Sequence, residues 1–201
     1  INWDNTHIVF PILFFFYFFN FYNYFKFFFY NFYQLFNFFN LLFSIYYFQF
    51  NLYGGIMSHV ERSVELFGLK FNCAQSVFAS FSKELGLDEK QALKIGGCFG
   101  SGMRKGEVCG ACTGALMALG LKYGQSEVGD ADSKLKSDDV CVKFLEEFES
   151  ENGSYICNEL LGCDIRTKEG VEYAVENKLF TEFCPKMVES ATLIVEKLIK
   201  E

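Results

Sequence analysis

The chain has 201 residues, enough for one or two domains, with a net charge of −7, eight cysteines and two histidines. An acidic chain without a basic cluster repels phosphate, which argues against nucleic acid and anionic membrane surfaces as partners. With His7 and His59 as the only histidines, a Ser-His-Asp triad, an HExxH zinc site, a cysteine-histidine protease pair and a CxxCH haem attachment are excluded from the body of the chain, and any metal site relies on sulfur and carboxylate.

Residues 1–56 hold 18 of the 27 Phe and 8 of the 11 Tyr, carry Asp4 and Lys26 as their charges, and contain neither Ala nor Cys. A segment dominated by Phe, Asn, Tyr, Ile and Leu looks like translated AT-rich DNA, and Gly54-Gly55 can be encoded by a ribosome-binding sequence shortly before Met57. The expectation is a Phe/Tyr-rich extension of upstream sequence outside the domain, with the native start at Met57. The alternative is a membrane anchor, since a spanning helix takes about 20 apolar residues; a membrane is a partner only in that case. The segment lacks the basic region and small-residue cleavage site of a signal peptide.

From Met57 onward apolar residues recur at spacings of three and four, and no run alternates as a strand does. The domain, residues 57–201, is therefore expected to be all-α, a compact bundle of six to seven helices. Asn72 caps a helix whose stripe is Ala74, Val77, Phe78, Phe81 and Leu85 and which stops at Gly86. Asp88, with Gln91 three residues on, starts the next. GGCFGSGMRKGE, residues 96–107, reads as a loop of close backbone approaches. It matches neither GxxxxGK[ST] nor GxGxxG, so tight packing is the preferred reading over an anion cradle.

The loop feeds a helix over Val108 to Lys122, with Leu116 and Leu119 inward and Gly124 closing it. Residues 125–136 are polar and read as a linker. After Ser137 a helix carries Cys141, Phe144, Leu145 and Phe148 on one face and ends at Asn152-Gly153, which makes Cys141 a core residue. Ser154 caps a short helix through Leu161, another covers Lys168 to Asn177, and Cys184-Pro185 opens the last. Its stripe is Met187, Val188, Ala191, Ile194, Val195 and Leu198. Glu146-Glu147 and Asp138-Asp139 read as solvated helical surface.

A domain of this length closes a core without disulfide staples, so eight cysteines in a reducing cytoplasm point to metal binding or thiol redox chemistry. Cys73, Cys109, Cys157 and Cys184 each fall at the cap or in the first turn of a predicted helix, where unpaired N–H groups and the positive end of the helix dipole favour the thiolate, both nucleophile and metal ligand. Arg104 and Lys105 push the same way at Cys109. Cys109-Gly110-Ala111-Cys112 is a CxxC at a helix start, with its sulfurs one turn apart. Cys98 and Cys163 read as bystanders.

FNCAQSV (71–77), GSGMRKGEVCGACTGALMALGLKYG (100–124), NGSYICNELLG (152–162) and FCPKMVESA (183–191) resemble the C_GCAxxG_C_C family of redox-active proteins over about residues 60–201. Its CGAxxG signature falls on Cys109 to Gly114, and its four cysteines map onto Cys73, Cys109, Cys157 and Cys184. The resemblance implies a small redox domain. Cys112 departs from it, standing where family members generally carry an apolar residue.

The function expected is redox chemistry by helix-start cysteines, oxidoreductase or electron carrier. Cys73, Cys109, Cys157 and Cys184 either ligate an iron-sulfur cluster or, with Cys112, cycle between thiol and disulfide with an electron-transfer partner. The alternative is a structural zinc scaffold on the same four cysteines.

Overall fold

The computed structural model describes residues 57–200 and, before them, residues 34, 38–42 and 44. The chain divides into two units, 1–56 and 57–201; the expectations placed on the first unit lie outside the described residues. In the second unit eight α-helices follow one another: α1 His59–Gly68, α2 Cys73–Ser82, α3 Glu89–Ile95, α4 Gly110–Tyr123, α5 Ala131–Asn152, α6 Cys157–Leu161, α7 Lys168–Glu176 and α8 Cys184–Lys200. Among the described residues there is no strand, only one antiparallel bridge between Val108 and Ile156. The domain is all-α, as its periodicity predicts.

The caps explain where the helices begin. The Ser58 hydroxyl accepts from the Glu61 N–H while Glu61 reaches back, and Asn72 and Gln75 repeat this capping box at α2. Asp88 and Asp130 accept from the N–H groups of Gln91 and Ser133, opening α3 and α5.

The core lies where α2, α4, α5 and α8 meet, with α1 packed against α2 and α8. Phe81, Phe144 and Phe148 are fully buried there, and truncating any one to Ala typically costs about 3–5 kcal/mol. Two buried hydroxyls are satisfied within this interior. Thr192 Oγ1 donates to Val188 O (2.7 Å) and lies 3.0 Å from Ser63 Oγ, tying α8 to α1.

Three local expectations are corrected. Helix α5 begins at Ala131, so half of the expected linker is helical; its first turns are solvated on all sides and held by pairs such as Lys134–Asp138 (2.9 Å), which leaves no apolar stripe to read. The buried face of α5 runs through Val140, Phe144 and Phe148, and Cys141 stands half-buried beside it rather than in the core. Ser154 is not the cap of α6, which is Ile156; its hydroxyl accepts from the Ile156 N–H (2.9 Å) and lies 2.5 Å from Glu159, shaping the turn before the helix.

Candidate functional site

Two glycines bring α4 against α2. A Cβ on Gly114 would stand 2.5 Å from the Ala74 carbonyl oxygen, and one on Gly110 would stand 3.1 Å from Cys73 Cβ. Only hydrogen at these positions lets the backbones meet, and that approach sets Cys73, the first residue of α2, beside Cys109, the N-cap of α4.

A backbone clasp fixes the next sulfur. The Cys109 N–H donates to Tyr155 O (2.8 Å) and the Cys157 N–H to Glu107 O (2.7 Å), on either side of the Val108–Ile156 bridge. The starts of α4 and α6 are therefore locked side by side, each presenting a cysteine. Helix α8 delivers the fourth: Lys178 adopts φ +57° and the wide turn Leu179–Phe183 follows, ending at Cys184.

The glycine-rich loop packs around the same region, as its composition predicts. The Asn72 amide donates to Gly96 O (3.3 Å) and Gly97 O (3.1 Å), and a Cβ on Gly100 would stand 2.5 Å from the Asn72 side chain. Ser101, Gly102, Met103 and Arg104 all have φ between +53° and +61°, one left-handed turn. Such a conformation costs an L-residue with a side chain about 1–2 kcal/mol. Arg104 and Lys105 are exposed, and neither contributes to the ionisation of Cys109.

Cys73, Cys109, Cys157 and Cys184 line one cavity of about 440 Å³, so the four helix-start cysteines selected from the sequence converge. Cys157 and Cys184 also form a small buried cluster with Leu161, against which Cys73 and Cys163 pack. Cys112, 0 % exposed, lies behind Cys109 in the main core and off the cavity wall. Cys98 is exposed and outside both clusters.

The sulfurs are unequal. Cys109 is held below its ordinary value: the Cys112 thiol donates to it, and the N–H groups of Ala111 and Cys112 at the start of α4 favour its anion against the opposing effect of burial. Cys112 is pushed far up, first by burial and then by holding its proton towards Cys109. Cys73 is raised well above the ordinary range, chiefly by donating to Cys184, then by burial and by charge at Cys109. Cys157 is pushed up to about 12 by burial and by the neighbouring Cys109 and Cys184. The pocket thus favours one thiolate, on Cys109, and charge there suppresses ionisation of its neighbours.

Among the described residues no group of three or more His, Cys, Asp or Glu side chains is arranged to hold a metal ion. The strongest influences on ionisation run between Cys109 and Cys112 and from Cys184 to Cys73, and Cys73, Cys109, Cys157 and Cys184 all line the cavity. Among the described residues no helix is long and apolar enough to cross a membrane.

Sequence reasoning did not find the aromatic wall of the cavity. Phe67, Phe180 and Phe183 line it but sit in segments, Phe67 in α1 and the others in the wide turn before α8, that carry no helical stripe across the site.

No curated protein and no solved structure matches the chain. Residues 71–198 match the family described as "putative redox-active protein (C_GCAxxG_C_C)", a span that takes in all four cavity cysteines and the Cys109–Gly114 signature. With its signature glycines making the helix contact that seats those sulfurs, the chain belongs to the C_GCAxxG_C_C family of redox-active proteins.

Proposed function

We propose that the domain is a thiol-disulfide redox protein whose nucleophile is Cys109 and whose partner sulfur is Cys112. The observation that carries this reading is the placement of two sulfurs one helix turn apart, Cys109 on the cavity wall and Cys112 fully buried behind it; the direction of each ionisation, down at Cys109 and up at Cys112, agrees with it. A nucleophile must be ionised and accessible, whereas the second thiol serves best when protonated and withheld until needed.

Closing the Cys109–Cys112 bond releases two electrons and two protons, which pass to an acceptor in the cavity. An external dithiol then reopens the disulfide and is itself oxidised. A reducing cytoplasm, the compartment the cysteine surplus points to, supplies such dithiols.

The test is to equilibrate the protein in dithiothreitol redox buffers, trap free thiols by alkylation and locate them by mass spectrometry. Reversible two-electron oxidation confined to Cys109 and Cys112, abolished in Cys109→Ser, is expected. Purification without oxygen that yields stoichiometric iron and sulfide, or stoichiometric zinc, bound through Cys73 and Cys184 would overturn it in favour of the cluster or the scaffold.

A further inference from the structure

The cavity in front of Cys109 has a chemical character that the thiols alone do not require. Four phenylalanines, Phe67, Phe71, Phe180 and Phe183, line it, and among the described residues no carboxylate does. At about 440 Å³ it falls in the range of small-molecule sites. Aromatic walls of this kind take a flat, uncharged ring, because burying a charge or a peptide-like zwitterion among them leaves its polar groups unmatched.

Two of the lining residues, the exposed Lys70 and the half-buried Ser101, carry donor side chains without a hydrogen-bond or ion-pair partner among the described residues. Both lie on left-handed backbone, at φ +74° and +53°. A donor such as Lys70 beside a mostly apolar site suits a ligand oxygen that gains negative charge as electrons arrive.

Resting on the thiol-disulfide reading, we propose that the cavity binds a quinone, a neutral planar ring that accepts two electrons and two protons and bears the oxygen that Lys70 and Ser101 can meet. Cys109 Sγ adds to the ring, forming a carbon-sulfur bond. Cys112 loses its proton and attacks Cys109 Sγ; the carbon-sulfur bond breaks and its electron pair leaves with the ring. The ring oxygens collect two protons, so one disulfide and one hydroquinone replace two thiols and one quinone.

The test mixes the reduced full chain, without oxygen, with duroquinone, whose four methyl groups block stable alkylation of the ring. Saturable formation of one hydroquinone per thiol pair lost is expected. Lys70→Asn, which keeps a residue at ease in left-handed backbone, and Phe183→Ala should each lower kcat/KM for duroquinone by about tenfold or more. In both variants Cys109 and Cys112 should still close and reopen in dithiothreitol buffers, which separates loss of the ring site from loss of the dithiol.

Non-saturable oxidation that neither variant alters overturns the proposal, as does glutathione disulfide oxidising the protein as fast as duroquinone. Cys109 and Cys112 that cycle in dithiothreitol buffers while duroquinone leaves them reduced overturn the quinone and leave the dithiol function standing. A chain whose thiols do not cycle in those buffers overturns both.

Discussion

Gly114 of α4 rests on the carbonyl of Ala74 in α2, so near that a methyl group there would stand 2.5 Å from the oxygen. The neighbouring turn of the same contact holds Cys73 against Gly110. Gly114→Ala should therefore push the helices apart and cost about 1–3 kcal/mol, the usual penalty of overpacking. Urea unfolding measures this. The substitution should also loosen Cys73 from Cys109; a Gly114→Ala protein of unchanged midpoint would show that the close approach is dispensable.

Thiol reactivity should follow the ionisation order of the pocket. Because Cys109 is lowered from its ordinary value, its alkylation should reach half-maximal rate at a pH below that of a free cysteine. Cys112→Ala removes the donor that contributes most to this shift, and should slow alkylation of Cys109 at neutral pH about fivefold, the worth of one hydrogen bond of about 1 kcal/mol. Rates followed by mass spectrometry against pH check it; a pH profile identical in Cys112→Ala removes Cys112 from the activation of Cys109.

Alkaline stability carries a second signature. Cys157 is raised in the folded protein to about 12 from an ordinary value of 9.0, so its proton is bound more tightly folded than unfolded. Its contribution is fully present below pH 9 and declines as pH rises towards 12. The stability difference between the natural chain and Cys157→Ala should shrink across that window. A difference that stays flat from pH 8 to pH 12, in urea midpoints, removes the coupling between Cys157 ionisation and folding.

The left-handed turn at Ser101 to Arg104 predicts a gain rather than a loss. Met103, at φ +54°, is exposed, so Met103→Gly relieves backbone strain without opening a core cavity, and should stabilise the domain by about 0.5–1 kcal/mol. Thermal unfolding measures it, and a lowered midpoint would mean that the Met103 side chain holds the loop in place.

The helices whose apolar faces pack on the core were legible because their stripes are continuous: Val188, Ala191, Ile194, Val195 and Leu198 are buried as their spacing says. The four cavity cysteines were legible for a different reason, since the electrostatics of a helix start is local to the sequence. What escaped depends on elements meeting in space. Helix α1 was not anticipated, although Ser58 and Glu61 spell its capping box. The buried line of α5 is displaced by one residue, from Cys141 to Val140, because a polar helix offers several near-equivalent stripes. The pairing of Cys73 with Cys184, 111 positions apart, needs the tertiary fold, and the aromatic wall is assembled from α1, the chain after it and the turn before α8.

The cavity draws its wall from segments between Val64 and Met187, nearly the whole length of the domain. No fragment of the chain contains it, and the unfolded polypeptide has eight thiols with nothing to tell them apart. The difference in shelter therefore doubles as a gauge of nativeness: an assembled molecule keeps Cys112 and Cys157 from alkylation, and a chain that has come undone labels at all eight.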